Sequence, residues 1–171
     1  MNITYRSATP RDAEEISRLM NRVYHGLSDK SIFVCDGIDF IRDCISGEDA
    51  GMGVVACAHD GSIVGSFILY FPHSNDDNLG KDIGLCEAEL DRVVHIESAV
   101  VAEAYRGRGI QYEMLKYAEE RLDRSRYGYC LATVSPDNPA SFRSLEKNGY
   151  RHVITKEKYN GLLRRIYLKE I

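Results

Sequence analysis

The stretch "AEAYRGRGIQYEMLKYAEERL", residues 102–122, places two arginines and two glycines directly before a run with the pattern of an amphipathic helix. The first backbone N–H groups of a helix lack intrahelical partners and are ordinarily capped by Ser, Thr, Asp or Asn. This entrance has none of these residues. Bare amides, flexible glycines and added positive charge at the positive end of the helix dipole predict an anion site, with a diphosphate as the first choice.

Other interpretations of this stretch are weaker or excluded. Glycine is itself a tolerable helix cap, so a structural entrance with both arginines in solvent is the competing interpretation. A Walker A loop would end in Gly-Lys-Ser/Thr, and the dinucleotide fingerprint would need a third glycine where Tyr112 stands. The sequence therefore disfavours an ATPase or a nicotinamide-dependent enzyme.

Composition sets the class of protein. The chain has 171 residues with 44% hydrophobic content, which suits one globular domain over 1–171. No run approaches the roughly 18–20 apolar residues of a membrane span, and the N-terminus lacks an apolar signal core. We therefore expect a cytoplasmic protein. The net charge of −4 argues against nucleic-acid binding, which needs a positive face.

The cysteines and histidines do not indicate a metal site. Five cysteines are scattered without a C-x-x-C pair, and we expect reduced thiols that are mostly buried. The histidines outside the strand "RVVHIESAVV" show no ligand spacing, so no metal is expected. Negative charge is concentrated in residues 72–91, which hold six acids against one lysine. This segment is either a solvated loop or a surface that attracts a cationic amine.

Short strands and helices alternate along the chain. The predicted elements, in order, are a strand at "NITYRSA", a helix over 10–24, a short helix at "DFIRDCIS", two strands joined by Asp60-Gly61, a strand at "RVVHIESAVV", a helix over 110–126, a strand at "YCLATV", a helix over 138–148, and two strands around Asn160-Gly161. Hairpins give antiparallel pairs, and strand–helix–strand units give parallel ones. We expect an α/β (α+β) fold with a mixed, mostly antiparallel sheet of about six to seven strands and helices on both faces.

The strand before the glycine-rich loop carries two ionisable residues. Strict alternation would place Val93, His95, Glu97, Ala99 and Val101 on one face. His95 and Glu97 would then lie side by side on a strand otherwise built for burial. They are either a buried pair satisfied by polar neighbours, or a pair with a catalytic role.

Two stretches together, "VVHIESAVVAEAYRGRGIQYEMLKYAEERL" and "VSPDNPASFRSLEKNGY", resemble the GNAT superfamily, the Gcn5-related N-acetyltransferases that bind acetyl-CoA. They lie within residues 93–150, about a third of the chain, and the predicted element order agrees with the acyl-CoA N-acyltransferase fold. The resemblance implies an N-acetyltransferase that transfers an acetyl group from acetyl-CoA to a primary amine of a small molecule or peptide, by direct attack in a ternary complex.

The resemblance also implies a set of cofactor-binding residues. Strand amides would pair with the pantetheine arm and polarise the thioester, loop amides would hold the pyrophosphate, and the start of the last helix would follow the cofactor arm. These positions are Ala99, Val100, Val101, Arg106, Gly107, Arg108, Gly109, Ile110, Gln111, Asn138, Ser141 and Phe142. Gln111 departs from the family, which usually has Gly or Ala there.

Family members often use an acid on the strand before the loop as general base, which makes Glu97 the first catalytic candidate and His95 the second. A protonated amine must lose a proton before it attacks a thioester. Leu145 stands where many members have the tyrosine that protonates the departing thiolate. Tyr105, Tyr150 and Tyr159 are candidate replacements, and water is another. The alternative function is a CoA-binding regulatory domain with reduced catalysis.

Overall fold

The computed structural model describes residues 2–47 and 49–171. The strands are β1 (Thr4–Ser7), β2 (Gly51–Cys57), β3 (Ile63–Tyr70), β4 (Val93–Val101), β5 (Tyr129–Val134), β6 (Arg151–Lys158) and β7 (Leu162–Glu170). The α-helices are α1 (Ala13–Gly26), α2 (Ile38–Ser46), α3 (Leu79–Asp82), α4 (Glu87–Leu90), α5 (Ile110–Glu119) and α6 (Pro139–Lys147). Short 3₁₀ turns lie at 10–12, 30–32 and 103–105.

The seven strands form one sheet in the order β1-β2-β3-β4-β5-β7-β6. All neighbouring strands are antiparallel except β4 and β5, which are parallel because α5 connects them. The predicted mixed, mostly antiparallel sheet of six to seven strands is confirmed. Both predicted hairpins also form, with left-handed residues at Gly61 in the first turn and at Asn160 and Gly161 in the second.

Helices cover both faces of the sheet. On one face α5 packs through Ile110, Met114 and Leu115 against the inner side chains of the central strands. On the other face α1 and α2 bury Ile16, Ile41 and their neighbours against β2 and β3. None of the described helices is long and apolar enough to cross a membrane. The candidate active site opens where the helices of the two faces come together, and residues of α1, α2 and α5 line it.

The acidic segment is more ordered than its composition predicts. Within residues 72–91 lie the short helices α3 and α4, which the sequence analysis did not predict. Asn78 stabilises them: its side-chain oxygen accepts from the amide of Gly80, and its amide donates to the carbonyls of His73 and Leu90. Two other boundaries shift, because α5 ends at Glu119 rather than 126 and the first helix opens with a 3₁₀ turn at 10–12.

Strand β4 does not alternate strictly along its length. Glu97 is opposite Ile68 and Val100 is opposite Ser66, so Ser98 and Ala99 together face one residue of β3. This is a β-bulge, and Ser98 adopts the left-handed conformation with φ of 46°. The expected placement of Ala99 and Val101 on the face of His95 therefore does not hold beyond Glu97. The bulge turns the second half of the strand toward a cavity.

Candidate active site

A cavity of about 720 Å³ opens where β4 and β5 separate. The two strands pair from Val93 to Ile96 on β4, but β4 continues to Val101 without a partner on that side. Residues 97–101 and 133–134 line the gap. Unpaired backbone groups along a strand are suited to bind an extended ligand as an additional strand. Ala99, Val100 and Val101 thus lie where the sequence predicts a cofactor arm.

The glycine-rich loop closes one end of the cavity. Gly107 and Gly109 both have φ of 74°, and the space that a Cβ atom would take at either residue is open for 4 Å. Gly109 is the N-cap of α5 and supplies no side-chain cap. The amides at the start of α5 are therefore left to an external acceptor, and an extra carbon would narrow the approach to them. These features fit a bound diphosphate.

The two arginines of this loop have different surroundings. Arg106 lines the cavity, and its Nε donates to the carbonyl of Val101 at 3.3 Å. Arg108 donates to the carbonyl of Ala104 at 3.2 Å and stacks over the ring of Tyr105. Among the described residues Arg108 does not line the cavity. Its role in binding a phosphate remains a proposal, and its observed contacts stabilise the turn before α5.

Gln111 and the start of α6 form the next part of the wall. The amide of Gln111 is 3.4 Å from Oγ of Ser141, so its side chain reaches across to α6. Asn138 caps α6 by accepting from the amide of Ser141 at 3.2 Å, and all three residues line the cavity. Phe142 turns the other way, with its ring under the guanidinium of Arg165. Ile110 lines the cavity and is buried.

Of the three tyrosines considered as proton donors in place of Leu145, two line the cavity and one does not. Leu145 is buried and lines the cavity. Tyr105 and Tyr159 also line the cavity but are less buried. Tyr150 is buried elsewhere, with its hydroxyl near Cys130 and Glu119. Although 38% of Tyr159 is exposed, its hydroxyl lies 2.8 Å from Oγ1 of Thr133 inside the cavity. Burial of this hydroxyl, with the charge of Glu97 nearby, raises the pKa of Tyr159 and keeps it protonated.

His95 and Glu97 are adjacent but face different surroundings. Nδ1 of His95 is 3.5 Å from Oε1 of Glu97, and Nε2 of His95 accepts a hydrogen bond from the amide of Leu79 at 2.9 Å. The Nε2 lone pair is thus occupied, and the ring proton lies on Nδ1, facing Glu97. Glu97 lines the cavity and keeps 24% of its side chain exposed, whereas only 3% of the His95 side chain is exposed. Among the described residues that line the cavity, Glu97 is present and His95 is not, so His95 lies behind Glu97.

A second carboxylate, which the sequence analysis did not single out, lies beside Glu97. Asp36 comes from the loop before α2 and accepts a hydrogen bond from the hydroxyl of Ser98 at the bulge. Burial raises the pKa of Asp36 to about 6, the Ser98 hydrogen bond opposes that rise, and the charge of Glu97 adds to it. An aspartate followed by glycine resembles an ordinary helix entrance, so no local pattern distinguishes Asp36 from a capping residue.

Arg164 is the other functional candidate that sequence reasoning missed. It lies on β7 in line with Ile166 and Leu168, is only 4% exposed, and lines the cavity. A charged residue at an inward position of an alternating strand is the signal that identifies it. The cavity is therefore lined by carboxylates from three segments, Asp36, Asp77 and Glu97, and by the buried guanidinium of Arg164.

Comparisons with known proteins identify one family. The sequence model of the acetyltransferase (GNAT) family matches residues 15–150. A GNAT-family acetyltransferase from Streptococcus pneumoniae has a TM-score of 0.73 at 16% identity, covering 99% of this chain and 100% of the other. NAA60 from Arabidopsis thaliana, solved with acetyl-CoA, has a TM-score of 0.73 at 14% identity, covering 99% of both chains.

A third solved structure has the same fold, and no curated protein matches the sequence. The acetyltransferase yncA from Salmonella typhimurium, solved with acetyl-CoA, has a TM-score of 0.70 at 16% identity, covering 99% of this chain and 94% of the other. The curated proteins thus add no relative to these structures. At identities this low, the structural likeness shows a shared fold and does not identify a substrate. The substrate of this chain has to be argued from its own cavity.

Proposed function

The chain belongs to the acetyltransferase (GNAT) family, and from this premise we propose that it transfers the acetyl group of acetyl-CoA directly to a primary amine of a small molecule or peptide. One observation carries the proposal: a single cavity runs from the glycine-rich loop, past the separation of β4 and β5, to the carboxylate of Glu97. The first end fits a diphosphate, the middle fits an extended arm, and the last fits an amine.

The chain's own residues supply binding and proton transfer. Amides near Gly109 bind the diphosphate, and backbone groups of Ala99, Val100 and Val101 pair with the arm. Bound acetyl-CoA supplies the thioester carbon that the amine attacks. Glu97 accepts the proton that the amine must lose, and His95 holds Glu97 in place through Nδ1. Amides of β4 donate hydrogen bonds where negative charge develops on the carbonyl.

Proton return to the thiolate is open to two sources. Tyr159 is one: its hydroxyl lies in the cavity and is protonated at neutral pH, although burial raises its pKa and so makes it a weaker acid. Solvent is the second source, because a thiol with a pKa of about 8.5 leaves tolerably as the thiolate. The transfer needs no cysteine intermediate. Cys130, the cysteine on the strand beside the loop, is buried, and burial raises the pKa of its thiol to about 12.

The test is release of CoA thiol from acetyl-CoA across a panel of amines, with Glu97→Gln as the first variant. We expect turnover with at least one amine and a loss of roughly 10²–10⁴-fold in kcat/KM in Glu97→Gln, the range that general base catalysis supplies. CoA affinity, measured by calorimetry, should stay within about twofold. Equal turnover by wild type and Glu97→Gln would remove Glu97 from the proposal.

The second candidate is a CoA-binding regulatory domain, which the apolar Leu145 at the position of the usual tyrosine favours. It predicts tight CoA binding without turnover of any amine. A protein that fails to bind CoA would contradict both candidates.

A further inference from the structure

Among the described residues, Arg164 is a buried charge that forms no salt bridge with a carboxylate. Its side chain donates to the backbone carbonyls of Leu163 at 3.0 Å and Ser31 at 2.6 Å. The ionisable groups that act on it are Tyr159 and, more weakly, Asp29 on the surface. A guanidinium has five N–H donors in a fixed fork, so two carbonyl bonds leave donors unused. Burying such a charge without a counter-ion is costly.

The same cavity holds the groups that bind an ammonium. Asp36 accepts a hydrogen bond from Ser98, the residue after Glu97 on β4, and the charge of Glu97 adds to the burial that raises the pKa of Asp36. Burial also raises the pKa of Tyr159; the charges of Glu97 and Asp36 add to that rise, and Arg164 opposes it. The guanidinium carbon of Arg164 is 5.7 Å from the centre of the Tyr159 ring. One region of the cavity is thus negative, and an adjacent region is positive. The ammonium group of a plain amine would pair with the carboxylates but would supply no counter-ion for the guanidinium of Arg164.

The walls around these charges are apolar. Residues before and within α2, and the end of α1, contribute Leu27, Ile32, Phe33 and Phe40 to the lining. Of the acids in residues 72–91, Asp77 lines the cavity, whereas Asp82 is bound to Lys156 and Lys158. The acidic segment as a whole is therefore not the feature that selects the acceptor. Asp77 is exposed to solvent, whereas Asp36 and Glu97 are half-buried, so these two carboxylates, the guanidinium of Arg164 and the apolar wall are the groups that can select the acceptor.

We propose that the acceptor is an amino-acid-type zwitterion, whose ammonium group binds between Asp36 and Glu97 and whose carboxylate binds the guanidinium of Arg164. This rests on the proposed acetyl transfer and names its substrate class. The fork of arginine pairs with a carboxylate through two parallel hydrogen bonds, which gives both orientation and affinity. The product is the N-acetyl amino acid and CoA. The ammonium nitrogen loses two protons: one passes to Glu97 before the attack, and the other leaves the nitrogen as the C–S bond breaks and goes to the departing CoA thiolate.

Matched pairs of amines test the proposal. Each pair consists of an amino acid and the amine that lacks only its carboxylate: leucine with isopentylamine, methionine with 3-(methylthio)propylamine, and γ-aminobutyrate with propylamine. We expect kcat/KM to be at least about 30-fold higher for the acid-bearing member of at least one pair. In Arg164→Met this preference should disappear, through a higher KM for the amino acid and an unchanged KM for the plain amine.

The adjacent arginine is the matched control. Arg165 follows on the same strand, stacks over Phe142 and does not line the cavity among the described residues. Arg165→Met should keep the preference of the wild type. Arg164→Lys retains the charge without the fork, so it tests the proposal if Arg164→Met does not fold, and we expect it to recover part of the preference.

A structural role for Arg164 makes a different prediction. If the guanidinium only ties β7 to the carbonyl of Ser31, its loss would weaken turnover of both members of each pair alike, which would overturn the proposal. A wild-type protein without preference, or with preference for peptides that have no nearby carboxylate, would also overturn it.

Binding provides a readout that does not depend on turnover. Calorimetry of N-acetyl-leucine against the CoA-loaded protein should show binding that weakens at least about tenfold in Arg164→Met and not in Arg165→Met. No turnover of any amine together with this binding pattern would refute the proposed catalysis and retain the carboxylate site. Turnover of plain amines without this pattern would do the reverse.

Discussion

Asp36 is the residue whose ionisation the fold opposes most clearly near neutral pH. Its pKa rises from an ordinary 3.8 to about 6, because it is buried in the cavity beside Glu97. A folded-state pKa above the unfolded one means that the folded protein holds this proton more tightly. The cost of the ionised carboxylate is therefore fully present above about pH 6 and disappears as the pH falls below about 4.

The first prediction is that Asp36→Asn stabilises the ligand-free protein at pH 8. The amide keeps an oxygen for the Ser98 hydroxyl and removes the charge, so the free energy of unfolding should rise by roughly 1–2 kcal/mol, within the limit set by a pKa shift of this size. At pH 4 the gain should vanish. Urea unfolding at both pH values measures this difference.

A carboxylate on α2, the helix that follows Asp36, provides the control. Asp43 lies on the exposed side of α2, so Asp43→Asn should leave the unfolding free energy within about 0.5 kcal/mol of wild type at either pH. Equal stability of Asp36→Asn and wild type at pH 8 would show that the protein does not bear the cost of this charge.

Sequence reasoning at the residue scale succeeds where local chemistry is distinctive. Gly107 and Gly109 stand out because two glycines at a helix entrance have a local backbone consequence, and both adopt the left-handed conformation. Asp36 and Arg164 depend on contacts across 62 and 133 positions of sequence, to Ser98 and Ser31 respectively. No local pattern encodes such contacts: the alternation of β7 marks Arg164 as an inward charge without showing what it meets, and nothing local marks Asp36.

At the scale of elements, the loop from β4 into α5 joins a strand whose second half has one unpaired side to a helix without a side-chain cap. Alanine at Gly109 would have to adopt φ near 74°, which costs about 1 kcal/mol, and its Cβ would enter the open space before the first amides of α5. Gly61 in the turn between β2 and β3 has a similar φ of 86° and equally open surroundings, but it lies outside the active-site cavity.

The second prediction compares these two glycines. Gly109→Ala and Gly61→Ala should each lower the free energy of unfolding by about 1 kcal/mol. Only Gly109→Ala should also weaken CoA binding, by at least about tenfold in calorimetry. If both variants bind CoA like the wild type, the diphosphate does not approach the α5 amides as closely as proposed.

Element order was more predictable than element ends. Hairpin signals at Asp60-Gly61 and Asn160-Gly161 gave the antiparallel pairs, since both turns need left-handed residues that these sequences supply. The bulge at Ser98 was not predictable, because its cause is the register of β4 against β3 and not a glycine in the strand. The helices within 72–91 were not predictable either, because the contact that stabilises them is not local: the Asn78 side chain donates to the carbonyl of Leu90.

At the scale of the whole molecule, the acidic segment connects the site to the far edge of the sheet. Asp82 at the end of α3 bonds to Lys156 and Lys158 on β6, each at 2.6 Å. At the start of the same helix, the amide of Leu79 bonds to Nε2 of His95, which in turn faces Glu97. Docking of α3 by two lysines therefore supports the orientation of the proposed general base.

The third prediction follows from the pKa of Asp82. Burial raises it, but the hydrogen bonds from Lys156 and Lys158 outweigh burial and leave the pKa below its ordinary value. A lowered folded-state pKa gives stability that is present above about pH 4 and is lost as the pH falls further. Asp82→Asn should therefore lower the free energy of unfolding by roughly 1–3 kcal/mol at pH 7, because it leaves two adjacent lysines unpaired, and by less at pH 3.

Urea unfolding at pH 7 and pH 3 measures this difference, and Asp76→Asn is the control. Asp76 pairs with Lys81 on the surface at 3.2 Å, and its fully exposed side chain should contribute within about 0.5 kcal/mol at either pH. Because α3 also fixes His95, Asp82→Asn should lower kcat several-fold while CoA affinity stays unchanged, since the diphosphate end of the cavity is built by other elements. A loss of stability at pH 7 with unaltered kcat would show that the Leu79 contact holds His95 without help from the lysines of β6.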